Sequence, residues 1–299
     1  MVGPLRAIAC ALLALALCAP AAAGDRLRVA ASFTILADLA RTVAGDDAAV
    51  RTLTPVGAEV HEWELTARNF VTLEQTDLVL HNGYGLEQWM AQVRATVAEG
   101  TPVVAVAEAT EYPTRAIVTG DLQGDPDPHL WMDPRAAAAY LEVIAEAMAE
   151  RDPDRAEGYH RRAAEGAERL QALHEALTET LAAIPAENRT LITSEAAFLY
   201  FADAYDFHHT GIWGSNAEEE GTPRQMARVT DLVRDRQPPA LFWESTISDR
   251  YVRGLSRDTG IPVAGPLYVD SLSGTDGAAP DYAALMRHNA GLLVEHLGP

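Results

Sequence analysis

Four side chains able to hold a cation lie on the loops that follow four short apolar runs, the one carrying His129 being long. His61 lies in PVGAEVHEWE after Ala49–Leu53, and His129 in DPDPHLWMDP after Pro102–Ala105. Glu195 lies in SEAAF after Thr190–Thr193, and Asp270 in PLYVDS after Ile261–Ala264. If those runs are strands of open parallel sheets, their carboxyl ends are where ligand-binding loops gather. Two neutral imidazoles and two carboxylates together neutralise a divalent ion, which could then be buried without net charge. Taken singly, each residue has an ordinary explanation. A loop histidine is commonly solvated, Glu195 could be an acid at a helix N-terminus, and Asp270 before Ser271 could belong to a turn. They become candidates only as a set.

The elements that would position them follow an alternation of β-branched or apolar runs with helical stretches, the pattern of α/β units with parallel sheets. Strands are predicted at Leu27–Ala31, Ala49–Leu53, Asp77–His81 and Pro102–Ala105, with helices at Ile35–Val43, Asn69–Glu74 and Leu86–Val97. A second series has strands at Thr190–Thr193, Phe207–Trp213, Ala240–Trp243 and Ile261–Ala264. Its helices are Ala197–Tyr205, Thr222–Asp235, Asp249–Thr259 and Tyr282–Leu297. Between them, Pro134 to Ile184 is rich in Ala, Glu, Leu and Arg; Pro134 suits a first helical turn and Pro153 divides the stretch. The piece from Asp154 to Ile184 has only Gly158 and Gly166 as weak points, and at ~1.5 Å per residue it would span ~45 Å. It reads as a stiff connector, although one long surface helix of a single domain would look the same. The expected fold is thus α/β, two lobes each with a parallel sheet flanked by helices, joined by a long rigid helix. Residues 25–152 form the N-terminal lobe, 153–185 the connecting helix and 186–299 the C-terminal lobe.

Residues 1–24 read as a cleaved secretory signal: Arg6, the apolar run Ala7–Leu17 and the small residues Ala21-Ala22-Ala23. Both cysteines, Cys10 and Cys18, fall inside it, so the mature protein must bind metal through imidazole and oxygen. Leu17 is large for a lipoprotein signal, which favours a free periplasmic protein over a lipid anchor on Cys18. The formal charge of −20 becomes −21 once Arg6 is lost, which argues against nucleic acid and suits a cation.

Six segments in order carry a family resemblance: NGYGLEQWM at Asn82–Met90, DPHLWMDP at Asp127–Pro134, TSEAAFLYFADAY at Thr193–Tyr205, EEEGTP at Glu218–Pro223, ESTISDR at Glu244–Arg250 and YVDSLS at Tyr268–Ser273. Over nearly the whole mature chain the sequence resembles the periplasmic solute-binding proteins of ABC importers for manganese, zinc and iron. That resemblance implies a receptor, not an enzyme, acting as a monomer that delivers a divalent ion to a membrane permease and its ATPase. It also implies His61, His129, Glu195 and Asp270 as the ligands, in that order. Zinc-type members usually have His at the third position and a His-rich loop before the second. Glu195, and the absence of histidine from Glu111 to Pro128, point to Mn²⁺, with Zn²⁺ or Fe²⁺ possible at the same site. Where the family often has an acidic residue or Asn followed by Pro before the first ligand, this chain has Glu59-Val60, so the His61 loop is expected to sit slightly differently.

His81 is the first candidate for supporting a ligand imidazole, followed by Glu244, Ser245 and Arg250. His208 and His209 should point to opposite faces of a strand. His160, His174, His288 and His296 are expected on solvated helix faces. A metal-dependent hydrolase is the competing class, but HEWEL at His61–Leu65 lacks the second histidine of a zinc protease, and a four-ligand site leaves no position for an activated water. A surface adhesin role could coexist with metal capture.

Overall fold

Near-continuous apolar runs such as LVLH demand burial on both sides, and parallel sheets covered by helices supply it. The computed structural model describes residues 26–215 and 220–299; the predicted leader with Cys10 and Cys18 lies outside the described residues. Strands β1 (Leu27–Ala31), β2 (Ala48–Thr52), β3 (Leu78–His81) and β4 (Val103–Ala105) form one parallel sheet in the order β2-β1-β3-β4. Helices α1 (Thr34–Ala44), α2 (Ala67–Glu74), α3 (Met90–Thr96) and the short α4 (Val106–Ala109) belong to the same half. In the second half, β5 (Thr190–Glu195) pairs in parallel with β6 (His208–Trp213), and β7 (Leu241–Glu244) with β8 (Val263–Leu267). The two pairs meet where β5 contacts β7. Helices α7 (Leu199–Tyr205), α8 (Pro223–Arg236), α9 (Arg250–Thr259) and α10 (Tyr282–Leu297) complete this half.

Two long helices tie the halves together. In α5 (Pro134–Arg151), Pro134 takes the first turn and the Asp133 carboxylate accepts the N–H of Arg135, so the start is set by sequence. Pro153 opens a short 3₁₀ turn, and α6 (Ala156–Leu181) then runs for 26 residues, about 39 Å at ~1.5 Å each. Its buried stripe, Tyr159, Ala163, Gly166, Leu170, Leu173, Leu177 and Leu181, repeats every three or four residues and packs on α5, α1 and α10. Gly166 is no weak point. A Cβ there would stand 2.7 Å from Leu141 Cδ1 and 3.1 Å from Thr42 Cγ2, so glycine lets the helices approach.

This is the predicted architecture of two α/β lobes spanned by a long helix, with one addition. The largest buried cluster runs without a break from Leu27 through α5 and α6 to Leu297, so the lobes share a core. Helix α3 starts at Met90, later than the predicted Leu86. The carboxylate of Glu87 instead accepts Ser32 Oγ–H at 2.6 Å and Asn82 N–H at 2.8 Å, holding that segment as a turn. Among the described residues, no helix is long and apolar enough to cross a membrane.

Candidate metal site

Glu195 ends a strand and the other three candidate residues lie on connections that follow strands, and the fold brings all four together. One ligand atom from each of His61, His129, Glu195 and Asp270 lies within 4.8 Å of the others. His61 Nε2 is 3.5 Å and His129 Nε2 3.8 Å from Glu195 Oε1, and His129 Nε2 is 3.7 Å from Asp270 Oδ1. None of the four side chains exceeds 1% exposure. The separations are too long for hydrogen bonds and leave a gap among four inward-pointing donors.

His61 sits between β2 and α2. Its N–H donates to Glu59 Oε1 at 2.8 Å, Gln88 N–H donates to its carbonyl at 3.2 Å, and Trp89 Nε1–H donates to the Val60 carbonyl at 2.8 Å. The Glu59-Val60 departure is thus accommodated by a carboxylate that ties down the backbone of the candidate ligand.

His129 precedes a short 3₁₀ turn, Leu130–Met132. Asp127, buried two residues earlier, accepts its N–H at 2.8 Å and stands 3.0 Å from Nδ1. That contact assigns the ring proton to Nδ1 and turns the Nε2 lone pair toward Glu195 and Asp270.

Glu195 is the last residue of β5, which extends two residues beyond its predicted end. Glu244, ending β7, accepts the N–H of Glu195 at 2.9 Å and of Ser194 at 3.2 Å. Behind it, Gly211 leaves room for the strand end, because an added Cβ would collide with the backbone of Glu195 and Ala196. Asp270 follows β8. Thr246 Oγ1–H donates to its Oδ2 at 3.4 Å, and Trp131 Nε1–H donates to the Val269 carbonyl at 2.9 Å.

The electrostatics are set by burial and by the close approach of the carboxylates and imidazoles. Burial, then the neighbouring His129, holds the His61 imidazole well below its ordinary range. Burial also opposes a proton on His129, but Asp127, Asp270 and Glu244 outweigh it and shift that imidazole up. Burial pushes Asp270 up against the pull of His129, and pushes Glu244 up to about 7 against the N–H bonds it accepts. Among the described residues, neither His61 ring nitrogen, nor His129 Nε2, nor Asp270 Oδ1 has a hydrogen-bond partner. Such buried orphan atoms cost about 1–3 kcal/mol each. A divalent ion would satisfy His61 Nε2, His129 Nε2 and Asp270 Oδ1 at once and offset the two carboxylates, with the His61 ring proton left on Nδ1.

The expected supporting residues divide. Glu244 holds the backbone of a candidate ligand. His81 instead faces Glu87 at 3.5 Å and Arg94 at 3.3 Å, because the end of β3 is filled by the Glu87 turn. Ser245 gives its N–H to Leu267, and its neighbour Thr246 touches Asp270 instead. Arg250 reaches Tyr251. Asp127 was not singled out, although an aspartate two residues before a histidine in DPDPHLWMDP was the available signal. His209 is buried and His208 exposed, as alternation requires. Three helix histidines expected in solvent are engaged: His174 with Tyr205, His288 with the Pro266 carbonyl and His296 against the Phe242 ring.

Two α/β lobes with converging buried donors between them define a substrate-binding protein, a receptor that encloses a small ligand. The model of the family described as zinc-uptake complex component A, periplasmic, matches residues 29–296, and the chain belongs to that family. It is accordingly a metal-binding substrate-binding protein of an ABC transporter and not an enzyme. Iron-binding protein YfeA of Yersinia pestis is 40% identical over 279 residues, covering 93% of this chain and 89% of that protein. Manganese-binding lipoprotein MntA of Halalkalibacterium halodurans is 36% identical over 274 residues, covering 92% and 89%. Among solved structures, the Mn-bound periplasmic metal binding protein of Candidatus Liberibacter asiaticus superposes with a TM-score of 0.82 at 29% identity, covering 91% of this chain and 100% of that one.

Proposed function

We propose that this chain captures manganese at His61, His129, Glu195 and Asp270 and presents it to the membrane permease and ATPase of an importer. It acts as a monomer, free in the periplasm once the leader is removed. One observation carries the reading: two imidazoles and two carboxylates from four separate segments of the chain converge within 4.8 Å, buried, with orphan atoms on His61, His129 and Asp270. The donor set is charge-matched to a divalent ion, and its two carboxylates suit manganese better than a third imidazole would. Iron, taken as the ferrous ion, is the second reading, favoured by the similarity to the iron-binding protein of Yersinia pestis. Zinc should bind at least as tightly in isolation, since affinities rise along the divalent series; selectivity then comes from geometry, release and supply.

The test is elemental analysis of protein taken from its own periplasm without added metal, beside Glu195→His. Near-stoichiometric manganese in the wild type, moving toward zinc in the variant, is expected. No metal in either would refute the site, and iron in the wild type would refute the manganese assignment.

A further inference from the structure

Ser271 follows Asp270 directly, yet its hydroxyl serves the opposite lobe. Ser271 Oγ accepts the N–H of Gly57 at 2.7 Å and donates to the Leu272 carbonyl at 3.0 Å. The Leu272 N–H in turn donates to Thr34 Oγ1 at 2.8 Å, and the two hydroxyl oxygens are 3.4 Å apart. Both hydroxyl residues are buried. Gly57 lies four residues before His61, with φ of 78° and nothing within 4 Å of an added Cβ; its conformation, not a lack of space, favours glycine there. The loop carrying one candidate ligand is therefore fastened to the segment carrying another.

We infer that Ser271 and Thr34 are positioning residues that latch the Asp270 segment onto the first lobe and so set how fast the ion leaves. The inference rests on the proposed site. Among the described residues, the one hydrogen bond to the carboxylate of Asp270 is a long one from Thr246, at 3.4 Å, so its aim toward His129 depends on the backbone at 269–272. Trp131 holds that backbone on one side of Asp270 through Val269, and the two hydroxyls hold it on the other. These bonds exist when the segment lies down on the first lobe. Removing them destabilises the closed arrangement and acts on departure of the ion more than on its arrival.

The experiment is stopped-flow release of Mn²⁺ from loaded protein into excess chelator, with association rates and metal-free melting temperatures measured alongside. Ser271→Ala and Thr34→Val should each speed release roughly fivefold, the worth of one buried hydrogen bond. Association should be unchanged. Thr34→Ser keeps the hydroxyl and should release like the wild type. Wild-type release from both Ser271→Ala and Thr34→Val overturns the latch, as does a Thr34→Ser variant as fast as Thr34→Val. Asp270→Ala separates the two levels: if it keeps full manganese affinity, the site itself is wrong and the latch falls with it.

Discussion

Removing Asp127 should weaken metal binding by one to two orders of magnitude without unfolding the protein. The carboxylate makes two contacts with His129, accepting its backbone N–H at 2.8 Å and standing 3.0 Å from Nδ1. In Asp127→Ala the ring loses the partner that fixes its tautomer and rotation. A hydrogen bond involving a charged group is worth about 1.5–3 kcal/mol, and each 1.4 kcal/mol is tenfold in affinity. The expected loss is therefore roughly 10–100-fold, the range found when partners of ligand histidines are removed. The freed backbone N–H acts on the fold instead, at about 1 kcal/mol, or roughly 2–4 °C in melting temperature for a chain of this size. Asp127→Asn retains an acceptor oxygen while losing the charge, and should fall less than about tenfold. The assay is competition for Mn²⁺ against a fluorescent chelator at neutral pH, with the metal-free melting curve as control. If Asp127→Ala binds within about twofold of wild type while Asp270→Ala loses affinity, orientation of His129 through Asp127 is refuted.

Glu195→Ala and Asp270→Ala should each abolish tight binding, read by isothermal titration, while leaving the metal-free circular dichroism spectrum unchanged; tight stoichiometric binding by both would place the ion elsewhere. Gly211→Ala should disturb the Glu195 strand end, costing about 1–3 kcal/mol of stability together with metal affinity, and wild-type behaviour in both measurements would refute the close approach. His209 provides a pH test. Burial lowers its imidazole to about 4, with its Nδ1–H directed at the Leu191 carbonyl and Nε2 accepting from Phe198 N–H. The unfolded chain then binds more protons between about pH 6.5 and 4, so the fold loses up to about 3 kcal/mol as pH falls through that window. Chemical denaturation of metal-free protein should show a steeper acid loss for wild type than for His209→Gln, and parallel curves would refute it.

Legibility in the sequence tracks the range of the interaction. Strand β1 and helix α10 are readable to the residue, because apolar alternation and helical periodicity are local signals. The four candidate ligands are readable from position at strand ends joined to family resemblance. What holds them is less so. Thr246 reaches Asp270 across 24 residues, and Glu244 reaches the backbone of Glu195 across 49. Such partners depend on which strand ends become neighbours, a property of sheet order that no local pattern encodes. His81 shows the same limit: its place at a strand end suggested support for a ligand imidazole, but its ring faces Glu87 and Arg94. Gly166 looked like a flaw in a helix only because its neighbours Leu141 and Thr42 lie far away in sequence.

The shared core bears on how an ion can enter and leave. Helix α6 packs on α1 and α5 from the first half and on α10 from the second, and one buried cluster crosses the boundary. Swinging the lobes apart would break apolar packing at about 25 cal/mol per Å² exposed, so even a few hundred Å² of opening costs several kcal/mol. Lifting the segment at 269–272 breaks a few hydrogen bonds, each worth about 1 kcal/mol, and uncovers Val269 and Leu272 from that cluster, whereas parting the lobes would lose the same bonds and the rest of the shared packing as well. Local opening is thus the cheaper route, and small-angle scattering of metal-free and manganese-loaded protein should give nearly the same radius of gyration. A large decrease on loading would refute this comparison, because it would require the continuous core to part at every cycle of capture.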